Sequence, residues 1–98
     1  MKSVIVKTSA TQLNLAIGMA ILRFLDKSMS VQELAVKLGR GRDSGIGIAA
    51  FQYGGFIVDS GRKISEQGIV EPPSTVDDLP KPIFKSKVPG NWYFILFI

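Results

Sequence analysis

The stretch from Leu13 to Leu25 is the longest apolar run in the chain, interrupted only by Asn14, Gly18 and Arg23. It is too short to span a bilayer and too apolar to stand in water, so it must be the packed helix of a folded domain. Leu13, Ala16, Ile17, Ala20, Ile21 and Phe24 fall on one stripe at helical spacing, and Leu15, Met19 and Leu22 make the opposite flank apolar as well. That pattern predicts a central helix over residues 10–26, covered nearly all round. Ser9 and Gln12 have the spacing of a capping box at its start, after a short β-branched strand over Ser3–Val6 and a turn through Lys7, Thr8 and Ser9.

A second helix is predicted from the next capping box, Ser30 with Glu33, where Met29 and Leu34 are spaced to pack across the first turn and Gly39 follows as the natural end. Residues 44–52 suggest a third helix despite Gly45 and Gly47, each of which costs roughly 1 kcal/mol relative to alanine in a helix. Phe56, Ile57 and Val58 read as a strand closed by Asp59, Ser60 and Gly61. Residues 62–82, with Pro72, Pro73, Pro80 and Pro82, read as an exposed excursion without a core of its own. After a turn at Pro89–Asn91, the run Trp92 to Ile98 has the composition of a strand buried on both faces. A chain finishing on such a strand is expected either to self-associate or to lack elements that once covered it.

Composition narrows the chemistry. With 98 residues, 46% hydrophobic and 20% charged, one domain or part of one is the limit. The chain has no cysteine and no histidine, which removes disulfides, thiolate ligands, imidazole ligands and Ser-His catalysis. The first residues lack an export signal, and a cytoplasmic protein without membrane contact is expected. A net charge of +4 suits an anionic partner, although nucleic acid is not expected because the lysines are scattered and not interleaved with aromatics.

Basic groups concentrate only at Gly39-Arg40-Gly41-Arg42, ahead of Asp43, Ser44 and Gly45. Arginine forks match phosphate and carboxylate oxygens, and glycines let a ligand come close, so this loop is the strongest candidate site; a plain interhelical loop, with Asp43 pairing to an arginine, is the competing reading. The turn at Ser9–Gln12 would present helix N–H groups to an anion, or be an ordinary cap. Asp59, Asp77 and Asp78 are hard-oxygen donors, but loop carboxylates of this kind usually face solvent, and no metal site is assigned.

Residues 39–59, Gly-Arg-Gly-Arg-Asp-Ser-Gly-Ile-Gly-Ile-Ala-Ala-Phe-Gln-Tyr-Gly-Gly-Phe-Ile-Val-Asp, closely resemble the signature of the β-ribofuranosylaminobenzene 5'-phosphate synthases, a family of the GHMP-kinase-like group. Thr11-Gln12-Leu13, Leu15-Ala16 and Gly18 resemble the family's first helix, and Asn91-Trp92-Tyr93-Phe94 its tryptophan-containing strand. The resemblance implies an α+β fold: a partial two-layer GHMP N-terminal domain, ribosomal protein S5 domain 2-like, with its helices packed on one sheet that includes residues 56–58 and 92–97. It implies one partial domain over 1–98, without the family's C-terminal domain.

For function the resemblance implies transfer of phosphoribose from phosphoribosyl pyrophosphate to a para-substituted benzoate, with loss of carbon dioxide and pyrophosphate, in methanopterin synthesis. Magnesium is the implied metal, a phosphorylated small molecule the implied ligand, and a homo-oligomer the expected state. Ser9, Thr11 and Gln12 would line the pyrophosphate end, Arg40 and Arg42 would hold phosphate or carboxylate, and Ser44 and Gly45 would shape the pocket floor; no catalytic residue is assigned. Two departures bear on activity. Gly47 stands where the kinases of the group carry an acidic residue, which disfavours a kinase. The family's glycine-rich phosphate loop reads Val6-Lys7-Thr8-Ser9-Ala10-Thr11-Gln12, so the chain alone is expected to be inactive, with a non-catalytic ligand-binding oligomer as the alternative.

Overall fold

The computed structural model describes residues 2–95 and 97, with side chains described from Ala10 onward. Its elements are, in order, helices α1 (Lys2–Phe24), α2 (Val31–Lys37) and α3 (Ile46–Tyr53), strand β1 (Phe56–Asp59), a 3-10 turn (Val76–Asp78) and strand β2 (Pro82–Ser86). The strands form one two-stranded antiparallel ribbon in which Val58 faces Phe84 and Asp59 faces Pro82, with a bulge between Val58 and Asp59.

The strand expected over Ser3–Val6 and the turn before Gln12 do not form, because α1 already begins at Lys2 and runs through both. Nothing in residues 2–10 breaks a helix: there is no glycine or proline there, and the β-branched residues lose only a few tenths of a kcal/mol each. Extending a nucleated helix costs far less than starting a new element. Ser9 is therefore an interior helical residue and not an N-cap.

Both α1 and α2 end alike. Lys27 N–H reaches Leu22 O at 2.8 Å and Asp26 N–H reaches Arg23 O at 3.1 Å; after α2, Arg40 N–H reaches Ala35 O at 2.8 Å and Gly39 N–H reaches Val36 O at 3.0 Å. These paired bonds define Schellman motifs, whose turning residue is left-handed: Asp26 at φ 51° and Gly39 at φ 67°. The Ser30–Glu33 capping box is formed as expected, and Met29 packs against the cluster containing Leu34.

The three helices pack on one another. Leu15 from α1, Leu34 and Ala35 from α2, Ile48 from α3 and Leu79 from the long loop make the core. Gly18 is what lets α1 and α2 approach, since a Cβ there would lie 2.8 Å from Leu34 Cδ2. Three expectations change. First, α1 packs on α2 and α3 and not on a sheet, and the ribbon lies beside α3. Second, α1 is not covered all round: Leu15 is fully buried and Met19 and Leu22 flank it, whereas the larger stripe stays open, with Leu13 61%, Ile17 51% and Phe24 89% exposed. A three-helix corner has only enough partners to cover one flank.

Third, residues 62–82, exposed over most of their length, are nonetheless anchored at a few points. Leu79 reaches the core, Pro73 is buried, and Ser60 and Lys81 close the loop's base by bonds of 2.9 and 3.0 Å. Inside the loop, the guanidinium of Arg62 donates to the carbonyls of Asp78 and Glu71, and Asp78 caps the backbone of Ser74 and Thr75 at 2.9 Å each. The loop then leads into β2, an element the proline spacing had masked.

The turn at Pro89–Asn91 closes with Trp92 N–H on Pro89 O at 3.1 Å, but the strand expected beyond it is not made. Trp92 to Ile95 and Phe97 are irregular and exposed; Leu96 and Ile98 lie outside the described residues. Apolar content alone does not make a strand, which is stabilised by cross-strand pairs this segment does not have among the described residues.

Candidate phosphate site

The loop from Arg40 to Gly45 is held between α2, α1 and the long loop. Arg40 belongs to the Schellman turn through its backbone, and its side chain turns back onto α1: Nη2 and Nε donate to Thr11 Oγ1 at 2.7 and 3.2 Å. One residue on, Gly41 sits at φ 88°, and a Cβ there would lie 2.5 Å from Leu79 Cδ2 and 3.0 Å from Ile48 Cδ1. Glycine is required by both conformation and contact. The chain then turns outward, leaving Arg42, Asp43 and Ser44 exposed.

Ser44 accepts the Ile46 N–H through Oγ at 3.2 Å, and Gly45 is the buried N-cap of α3, close enough to Pro80 that a Cβ would lie 2.9 Å from its ring. Gly47 explains the glycine tolerated inside α3. A Cβ at Gly47 would meet Thr11 Cγ2 at 3.1 Å, and Gly47 O accepts from Gln12 Nε2 at 2.8 Å. Gly47 is therefore the point where α3 crosses α1.

Of the anticipated site residues, the fold brings Thr11, Gln12 and Arg40 into one packed junction, while Gly45 packs against Pro80. The polar groups of Thr11 and Gln12 are taken up by Arg40 and Gly47, so the pair act as struts under the loop. Because α1 starts at Lys2, the N–H groups at 9–12 belong to the helical ladder and do not form the anion cradle expected of a helix start. The Ser9 side chain lies outside the described residues. Arg42 and Ser44 stand apart from the junction at the open lip of the loop. Arg42 makes no hydrogen bond or ion pair among the described residues, where Lys81 and Asp77, 3.8 Å apart, form the salt bridge; Asp43 pairs with neither arginine there.

The carboxylates weighed as metal donors have structural work. Asp59 Oδ1 accepts from Gly61 N–H at 3.0 Å, Asp77 faces Lys81, and Asp78 is a cap whose carboxyl is held below its ordinary range, first by the Thr75 N–H and then by the Ser74 N–H. Glu33 is likewise lowered, chiefly by the Ser30 N–H. Arg62, which organises the long loop, was not singled out by pattern; an arginine between glycine and lysine in a polar stretch has no periodic signal.

A recess of about 560 Å³ lies elsewhere, between the end of α3 and β2, lined by Tyr53, Gly54, Gly55, Lys85, Ser86, Lys87 and Val88. It is an open cleft to which none of the anticipated residues contributes, and Lys85 Nζ lies 3.9 Å over the Tyr53 ring. Among the described residues no helix is long and apolar enough to cross a membrane.

No family model matches the chain, and no solved structure matches it. Curated proteins do. Over most of its own length the chain is homologous to archaeal 5'-phosphate synthases. These are the β-ribofuranosylphenol 5'-phosphate synthases: that of Methanothermobacter thermautotrophicus is 37% identical over 91 residues, covering 92% of this chain and 28% of the relative. That of Archaeoglobus fulgidus is 33% identical over 90 residues, 92% of this chain and 29% of the relative. That of Methanocaldococcus jannaschii is 47% identical over 58 residues, 59% of this chain and 18% of the relative. The resemblance read in residues 39–59 is thereby shown. The chain spans less than a third of the length of the curated relatives it matches.

Proposed function

We propose that this chain is the phosphate-gripping portion of a β-ribofuranosylphenol 5'-phosphate synthase-type site, built on part of a GHMP-type N-terminal domain. The substrate is phosphoribosyl pyrophosphate, the acceptor a para-substituted benzoate, and the setting methanopterin synthesis in an archaeal cytoplasm. The observation that carries this reading is the contrast between two arginines one residue apart. Arg40 is spent on Thr11, while Arg42 projects from a glycine-flanked turn with no partner among the described residues. A planar cation exposed on a loop and left unpaired among the described residues is suited to an oxyanion. There it would stabilise charge on departing pyrophosphate, with Ser44 as a neighbouring hydroxyl.

Magnesium is handled differently. Among the described residues no group of three metal-ligating side chains converges, and Asp43 is the sole carboxylate in the loop. Magnesium on a phosphorylated substrate commonly takes one or two protein carboxylates, so Asp43 would supply at most a single ligand here, and no step is routed through the ion. Thr11, Gln12 and Gly45 serve by positioning the loop. With Arg42 and Ser44 open to solvent, the chain alone binds weakly and does not turn over. A sugar-kinase reading is disfavoured because Gly47 stands where those kinases carry an acidic residue, and it is a helix-crossing contact at which even a Cβ would lie 3.1 Å from Thr11 Cγ2.

The test is a calorimetric titration with phosphoribosyl pyrophosphate, combined with an assay for carbon dioxide and pyrophosphate release. Arg42→Ala weakens binding by roughly 1.5–3 kcal/mol, the range for a charge-assisted hydrogen bond. Arg42→Lys recovers only part, because the fork is lost. Equal affinity in all three proteins would remove Arg42 from the site, and full turnover by this chain would overturn the claim that its site is incomplete.

A further inference from the structure

Helix α3 has the Arg42 turn at its start and the cleft of about 560 Å³ at its end, where Tyr53 faces the last residues of β2. That volume is in the range of small-molecule sites. The two walls meet at Gly55, which passes so close to β2 that a Cβ would lie 2.5 Å from Ser86 O.

The lining is basic and contains no acid. Lys85 and Lys87 stand two residues apart, both exposed, and neither forms an ion pair among the described residues. The carboxylates nearest along the ribbon and long loop have other positions: Asp59 faces Pro82 at the far end of the ribbon, and Asp77 pairs with Lys81. Lys85 rests instead on a ring, with Nζ 3.9 Å over the centroid of Tyr53, which is 46% exposed. A cation on an exposed ring is held weakly, and one hydrogen-bonded to an anion more strongly, so an arriving anion can draw Lys85 to itself. Between the lysines, the Ser86 hydroxyl reaches only the Lys87 carbonyl, at 3.3 Å.

We propose that this cleft is a binding site for a planar aromatic anion of the aryl carboxylate class. The arene lies offset against the Tyr53 ring, and its carboxylate is met by Lys85 and Lys87, with the Ser86 hydroxyl as a further donor. Two ammonium groups without acids select negative charge, and a ring beneath one of them selects a flat apolar body next to that charge. Inorganic phosphate leaves the ring unused, and a neutral arene leaves the ammonium groups unused. The inference does not rest on the phosphate-site reading, because the cleft shares no residue with the loop from Arg40 to Gly45.

Benzoate titrated into the chain and followed by amide chemical shifts tests it. The shifts should gather on residues 53–55 and 85–88 and half-saturate at a few millimolar or below, roughly the affinity of a small ligand held by a few contacts. Benzyl alcohol and inorganic phosphate should each bind at least about fivefold more weakly, since each lacks one of the two interactions. Replacing both lysines, Lys85→Gln/Lys87→Gln, should weaken benzoate at least about tenfold. Tyr53→Leu should weaken it about threefold or more. These side chains are exposed, so the amide spectrum away from the cleft should stay as in the intact chain. The proposal is overturned by an absence of shifts at the cleft at about 20 mM benzoate, by phosphate or benzyl alcohol binding as well as benzoate, or by affinity that survives both sets of substitutions.

Discussion

Arg40 and Thr11 are joined by two hydrogen bonds to a single oxygen, 2.7 Å from Nη2 and 3.2 Å from Nε, and this contact ties the glycine–arginine loop to the first helix across 29 positions of sequence. It fixes the Thr11 rotamer with Cγ2 toward Gly47. Thr11→Val removes the acceptor and keeps the shape. Denaturant unfolding should show a loss of about 1–2 kcal/mol, the low part of the range for bonds to a charged group, because Arg40 is half-buried. Gly47→Ala should also destabilise: its gain in helix propensity, about 1 kcal/mol, is outweighed because Thr11 cannot swing away. Thr11→Ser, which deletes Cγ2 and keeps the hydroxyl, should make Gly47→Ala tolerated, and additivity in the double-mutant cycle would contradict this coupling.

Leu79 is the long loop's only member of the core cluster, 6% exposed and packed with Ile48 beside Gly41. Leu79→Ala should cost about 2–4 kcal/mol, as buried leucine truncations do. Thermal unfolding of that variant against Ile69→Ala, an exposed residue of the same loop, checks it. Equal melting temperatures would mean that the loop is the solvated excursion its prolines suggest.

Glu33 and Asp78 are both carboxylate caps with lowered pKa values, from ordinary values of 4.5 and 3.8. A carboxylate whose pKa is lower folded than unfolded adds stability that is complete above the unfolded value and disappears as pH falls through the folded one. Stability should therefore fall with acidification below about pH 4.5, the ordinary carboxyl range. Glu33→Gln and Asp78→Asn should each lower stability at pH 7 and flatten part of the acid limb. Unfolding curves at pH 7, 5, 4 and 3 measure this, and an acid limb unchanged in both variants would contradict it.

What was legible in the sequence was local. The Ser30–Glu33 box, the end at Gly39 and the strand at Phe56–Val58 follow from short-range bonding that a few neighbouring residues settle. What was not legible depended on partners distant in sequence. Which flank of α1 is buried follows from where α2 and α3 dock, and both flanks are apolar. The Ser3–Val6 segment has β-branched residues but joins a helix. Trp92–Phe97 has strand composition and, among the described residues, no strand to pair with. In the site, the arginines were conspicuous, but their division into a strut and an exposed cation turns on Thr11, a residue that looks like part of a helix cap.

The account's central claim is that an anion is met at the turn from Arg42 to Ile46, exposed at Arg42, Asp43 and Ser44, and not at residues 9–12, whose backbone is committed to α1. Amide chemical-shift mapping by nuclear magnetic resonance, with pyrophosphate titrated into the chain, tests it most directly. The largest shifts should fall on Arg42, Asp43, Ser44, Gly45 and Ile46, and should shrink in Arg42→Ala. Shifts centred on Ser9 to Gln12, or a pattern unchanged by Arg42→Ala, would contradict the claim.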